Sequence, residues 1–241
     1  VKRVNPTVIF LELVGYENES RPAYDVVLQA ETGWISMTGT DAQNPAKLPV
    51  ALIDILAGHQ LKEAALVALL HREKTGKGSY SLCSLEASSL SALANQASNY
   101  LMVNKMARPM GTAHPNIAPY GDHFSSNDGI KFVLAVGSEK HFQELTYAFK
   151  ANHLLESDLY SSNSLRVENR PTLISDLGEI FIRFTFEEIE SRLKERNIPF
   201  GEIKSLDKVL SNKTAKEMIL EETLEKSDTK RLSSIAFKTS F

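Results

Sequence analysis

Leu52-Ile53-Asp54-Ile55-Leu56-Ala57-Gly58 opens a stretch that continues through Ala64-Ala65-Leu66-Val67-Ala68-Leu69-Leu70 to Arg72. The residues are strong helix formers, and the apolar ones cover nearly every side of the helix they would make from Val50 to Arg72. A helix apolar all round belongs inside a domain, so most of it is expected to be buried. Upstream, Val8-Ile9-Phe10-Leu11-Glu12-Leu13-Val14 is a β-branched run that reads as a buried strand. Between them, Gly15 to Pro22 reads as a loop, Ala23 to Glu31 as a helix, and Thr32 to Pro49, with Gly33, Gly39, Pro45 and Pro49, as an irregular connection of the kind that lines sites. Downstream, Lys74-Thr75-Gly76-Lys77-Gly78 offers glycine for a left-handed cap, with His71, Arg72 and Lys74 at the negative end of the helix dipole.

A short strand at Tyr80 to Leu82 and a helix from Leu85 to Val103 follow. Met106 to Asn127 carries three prolines with Gly111 and Gly121, which suits a functional loop or a linker. Beyond it, Ile130 to Val136 reads as a strand, and Glu139–Lys150, Leu173–Phe181 and Phe186–Arg196 as amphipathic helices. Asn197 to Gly201 breaks the last of these before a short strand at Glu202 to Ser205. Glu221 to Lys230 is a solvated charged stretch. Both ends read as cut: Val1 runs almost at once into a strand, and Ala236 to Phe241 stops in mid-strand by pattern.

Composition narrows the class. The 241 residues include 27 Lys and Arg against 30 Asp and Glu, a net charge of −3, with 42% hydrophobic and 24% charged residues. These are values of a globular chain, and no basic stripe suited to nucleic acid appears. No apolar run approaches the roughly 20 residues of a membrane span, and the start lacks the apolar region of a secretory signal. With Cys83 as the one cysteine, a reducing, cytoplasmic location is expected.

Several motifs fail on spacing. Gly76-Lys77 is followed by Gly78 where a phosphate loop needs Ser or Thr, and His71 stands where it needs its first glycine. The six histidines form no His-x-x-x-His pair and have no cysteine partner, so no metal is expected. Asp54 is different, because a carboxylate in an apolar helix start is costly unless paired or used. It serves either as a helix-capping or dipole-satisfying acid, or as a catalytic carboxylate whose charge helix amides support. The residues alone leave both open.

Arg21-Pro22-Ala23-Tyr24-Asp25-Val26-Val27-Leu28-Gln29-Ala30, Gly33 to Gly39, and Leu52 to Gly58 together resemble the core of the family III CoA-transferases, the group containing formyl-CoA transferase and carnitine CoA-transferase. Ala65 to Gly78, His114-Pro115-Asn116-Ile117-Ala118-Pro119-Tyr120-Gly121 and Asn127-Asp128-Gly129 carry it further. The likeness is strong from Asn5 to Gly137, weaker to Leu210 and poor after Ser211. It implies that Asp54, in an Asp-x-x-x-Gly segment with Gly58, is a nucleophile that forms an acyl anhydride and then an aspartyl-CoA thioester. Tyr24 would wall the site, Asp25 would sit beside the thioester, and Arg21, His114 and Asn116 would contact CoA or substrate. The substrate would be coenzyme A as acyl-CoA with a small carboxylic acid, without metal, nucleic-acid or membrane partners. The resemblance also implies an interlocked homodimer.

The expected fold is α/β. Residues 1–103 would form part of a large Rossmann-like domain, incomplete here because family members are considerably longer. Residues 104–127 would be a linker or active-site loop, 128–211 a smaller α+β domain, and 212–241 a return segment toward the large domain. Where the formyl-CoA enzymes carry a glycine-rich loop, this chain has Pro115, Pro119 and only Gly121, which points to a dicarboxylate or other acyl group in place of oxalate. Two other readings remain: a non-catalytic fragment or assembly module of such an enzyme, and an acyl-CoA racemase of the same superfamily. The racemase would need a histidine where Tyr24 stands, since tyrosine is a poor base at neutral pH.

Overall fold

The structure, a computed structural model, describes residues 3–224 and 227–240. It divides into two compact units, Val1–Pro115 and Asn116–Phe241.

In the first unit, β1 (Ile9–Val14) precedes α1 (Asp25–Glu31), α2 (Trp34–Met37) and α3 (Leu52–Thr75), and the chain returns through β2 (Ser79–Ser84) to α4 (Leu85–Ser91) and α5 (Ala94–Val103). The two strands pair in parallel, from Ile9 opposite Ser79 to Val14 opposite Ser84. Parallel pairing demands a long crossover, and the three intervening helices supply it. Gly78 allows the strands to start together, because a Cβ there would lie 1.9 Å from the Val8 carbonyl oxygen. α3 ends at Gly76 in the left-handed conformation, with its N–H on the Arg72 carbonyl at 2.8 Å.

A small core of Tyr16, Leu28, Ile53, Ala57 and Leu85 joins these elements. Three expectations fail here. α3 is mostly exposed: only Ile53, Ala57 and Ala68 are buried, while Leu66, Val67 and Leu70 are each more than half exposed. β1, β2, α1 and α4 pack on one side of it, and one-sided packing leaves an all-round apolar helix half uncovered. The helix expected from Leu85 to Val103 is broken at Ala92–Leu93, where Ala94 takes a positive φ of 46°. Asp54, expected in apolar surroundings, is exposed.

The irregular connection is held by its own polar groups. Asp41 accepts from the Gln43 and Asn44 amides at 2.9 and 3.0 Å, and Gly39 bridges to Pro45. A Cβ at Gly39 would meet the Asn44 carbonyl at 2.2 Å, so this bend requires glycine.

The second unit centres on an antiparallel sheet of β3 (Tyr120–Ser125), β4 (Lys131–Ala135) and β5 (Phe200–Glu202), with β4 in the middle. Around it run α6 (Glu139–Ala148), α7 (His153–Glu156), α8 (Asn163–Glu168), α9 (Arg170–Phe181) and α10 (Phe186–Glu195). β3 corrects the reading of Met106 to Asn127 as structureless, and β5 lies two residues before its expected start. Phe124, Phe132, Phe149, Phe181 and Phe186 meet in edge and tilted contacts in the core, Phe181 lying 4.9 Å from Phe124 and 5.0 Å from Phe149.

After α11 (Leu206–Leu210) and α12 (Lys213–Glu217), β6 (Ile219–Leu224) and β7 (Ser227–Leu232) pair as a hairpin. The charged stretch is thus exposed but ordered as strands, with cross-strand pairs Lys230–Glu221 and Arg231–Glu222; its Glu225 and Lys226 lie outside the described residues. Ala236 to Ser240 is coil and not strand, and Val1, Lys2 and Phe241 lie outside the described residues. Among the described residues, no helix is long and apolar enough to cross a membrane.

Candidate active site

Asp25 is the first residue of α1, and its side chain reaches the start of α3. Its Oδ2 accepts the Ile53 amide at 2.7 Å, and its Oδ1 accepts the Gln29 side-chain amide at 2.5 Å. Gln29, fully buried, in turn accepts the Leu48 amide at 2.8 Å. One carboxylate therefore satisfies an orphan donor of α3 and ties α1 to the chain that enters it.

Asp25 supplies the capping acceptor, while Asp54, in the first turn of α3, has no hydrogen bond or ion pair to any described residue. Its carboxyl pKa is raised, first by partial desolvation and second by the negative charge of Asp25. An unpaired carboxylate with raised pKa beside helix amides is a stronger nucleophile than one bound in an ion pair.

Tyr24 precedes α1 in extended conformation, with its side chain largely exposed and its carbonyl accepting the Val27 and Leu28 amides. Arg21 is fully engaged. Its guanidinium makes a two-pronged contact with Glu31 at 2.8 Å, bonds Glu19, and stacks 4.0 Å over the Tyr16 ring. Tyr16 also donates to Glu31 at 2.7 Å, and these bonds, Arg21's first, hold the Glu31 carboxyl down at about 2. His114 lies partly buried near the end of the first unit, and Asn116 opens the second, its carbonyl accepting from Asn163 at 2.8 Å. Asp25 and Asp54 are thus brought together with Tyr24 adjacent, whereas Arg21 is committed to an ion-pair cluster.

Gln29 was not singled out from sequence. Its signal was present: a polar residue four places after Asp25, flanked by Leu28 on a face that must pack.

The family described as CoA-transferase family III matches residues 1–241. The chain belongs to CoA-transferase family III. It is 31% identical over 219 residues to human (Homo sapiens) succinyl-CoA:glutarate CoA-transferase, covering 88% of this chain and 49% of that protein. It is 27% identical to the succinate–glutarate CoA-transferase of Agrobacterium fabrum over 93% of this chain and 57% of that one. Among solved structures, a CAIB/BAIF family protein from Brucella suis superposes with a TM-score of 0.79 at 30% identity, covering 99% of this chain and 63% of that chain. Rv3272 from Mycobacterium tuberculosis gives 0.84 at 25%, covering 100% and 65%. This family III chain spans about half the length of the curated relatives it matches first.

Proposed function

We propose that this chain carries the nucleophile of a CoA-transferase that moves CoA from an acyl-CoA to a carboxylic acid, with Asp54 as that nucleophile. The observation that carries the reading is the separation of duties at the start of α3: Asp25 caps, and Asp54 is left unpaired. Membership of family III supports it.

In this reading the Asp54 carboxylate attacks the thioester carbonyl, forming an acyl-aspartyl anhydride and expelling CoA thiolate. The thiolate attacks the aspartyl carbonyl, leaving an aspartyl-CoA thioester and the free donor acid. The acceptor carboxylate then attacks that thioester, forming a new anhydride and releasing the thiolate, which takes up the acceptor's acyl group and regenerates Asp54. Each half is a carbonyl addition whose oxyanion needs donors; at the start of α3 the Leu52, Ile53 and Ile55 amides are already bonded, which leaves the Asp54 amide as the candidate there. Tyr24 walls the site, and Asp25 sets the charge beside the nucleophile. Arg21, His114 and Asn116 are the further candidates for CoA or acid contact; of these Arg21 would have to leave Glu31 to meet phosphate.

The acceptor is proposed to be a small dicarboxylate. Relatives named for succinate and glutarate support that class. A homodimer and a cytoplasmic location belong to the same reading. The test is transfer from succinyl-CoA to a panel of acids by the protein and its Asp54→Asn and Asp54→Ala variants. Transfer to dicarboxylates that both variants abolish is expected; undiminished turnover in Asp54→Asn, or transfer only to amines or alcohols, would sink the proposal.

A further inference from the structure

Away from Asp54, the segment that follows α5 folds back against α2 and α5 and encloses a cleft of about 510 Å³. Asn104 turns the chain in left-handed conformation (φ 53°), and the Gly111 amide on the Gly39 carbonyl at 2.8 Å ties the segment to the irregular connection. Lys105 donates to the Pro115 carbonyl at 3.4 Å, closing the segment on itself. The wall is therefore tied by one backbone and one side-chain hydrogen bond and is not a free loop.

The lining has a distinct chemistry. Lys105 and Arg108 are its charged groups, Gln96, Asn99 and Asn104 add amide donors, and no acid lines it. Arg108 has no hydrogen bond or ion pair to the described residues. A slot of about 310 Å³, sharing Met37, Gln96 and Met106 with the cleft, continues from it and is walled by Leu93, Ala97 and Leu101. Both volumes fall in the range of small-molecule sites. Met37 and Met106 at the junction are unbranched and adapt to a chain passing between the two. None of Arg21, Tyr24, Asp25 and Asp54 lines either space.

We infer that cleft and slot together bind an amphipathic anion, a carboxylate or phosphate on an aliphatic chain, with the anionic head on Arg108 and Lys105 and the chain in the slot. A planar guanidinium free of acidic partners takes an oxyanion in two-pronged fashion. A neutral ligand of the same shape would leave it unused. The site stands apart from the transferase reading, since binding alone defines it.

Calorimetric titration at fixed ionic strength with octanoate, octyl phosphate and 1-octanol tests it. At least one anion is expected to saturate the protein, with 1-octanol at least tenfold weaker. Arg108→Gln should weaken the anion tenfold or more, Arg108→Lys should restore part of that, and Leu101→Asn should weaken it through the chain. Preference for octyl phosphate assigns the head to a phosphate ester, and preference for octanoate to a free acid. Absence of saturable binding by either anion, equal binding of 1-octanol, or an unchanged Arg108→Gln variant would overturn the inference. Both exchanged residues are exposed, so the fold should survive, which circular dichroism checks. Asp54→Asn should bind the anions as the parent does, so this result stands whether or not Asp54 proves to be the nucleophile.

Discussion

At the start of α3, Asp25 is bonded to the Ile53 amide, whereas Asp54 has no hydrogen bond or ion pair among the described residues. Because the fold disfavours ionised Asp54, stability contributed through this group is greatest below the ordinary aspartate pKa of about 3.9 and declines as pH rises through the raised value. Asp54→Asn should therefore not lower the melting temperature at neutral pH, whereas Asp25→Ala should cost about 1 kcal/mol or more through the lost cap. Denaturant melts of both variants check this, and a loss in Asp54→Asn alone would return Asp54 to a structural role. In the proposed mechanism the neighbouring negative charge of Asp25 also shapes activity. Attack needs the carboxylate, so the acid limb of kcat/KM should lie above that of an ordinary aspartate. Asp25→Asn keeps an acceptor oxygen but removes the charge, and should move that limb to lower pH; an unmoved limb would show that Asp25 does not act on Asp54. Asp54 itself was legible in sequence as an acid misplaced in an apolar run. Its freedom from capping was not, because the cap comes from Asp25, 28 positions before the Ile53 amide it accepts, and no local pattern carries that contact.

At the scale of elements, α3 was legible in position and in its Gly76 cap but not in its burial. Periodicity reports how much apolar surface a helix has, and what covers that surface depends on neighbours far off in sequence. The break between α4 and α5 was hidden because Ala92-Leu93-Ala94 are all good helix formers, and nothing local announces the positive φ at Ala94. In the second unit, β3 was masked by Gly121 and Asp122, residues that depress strand propensity. What holds that strand is an ion pair: Arg170 meets both Asp122 oxygens at 2.9 and 2.7 Å and also the Ile117 carbonyl, with Asp122 buried. Asp122→Ala leaves a largely buried guanidinium short of its partner and should cost about 3 kcal/mol or more. Phe181→Ala, which removes the ring shared by Phe124, Phe132 and Phe149, should cost about 3–5 kcal/mol. Chemical denaturation measures both, and losses under about 1 kcal/mol would contradict the packing described.

For the whole molecule, the α/β class and the family were legible because strand, crossover helices and the Asp54 segment lie within one contiguous stretch. The exposed apolar residues of α3, Leu66, Val67 and Leu70 among them, are surface of the kind a second subunit covers. The proposed homodimer should appear as twice the chain mass of 26.8 kDa in light scattering, and a monomer across micromolar concentrations would remove that part of the reading.

The chemistry proposed for Asp54 can be tested directly. The protein is incubated with succinyl-CoA, quenched with hydroxylamine, digested and mapped by mass spectrometry, which marks a thioester or anhydride as a hydroxamate on the residue that bore it. The expected result is a hydroxamate on Asp54, absent without succinyl-CoA and absent in Asp54→Asn; an adduct on any other residue, or turnover with none on Asp54, would contradict it.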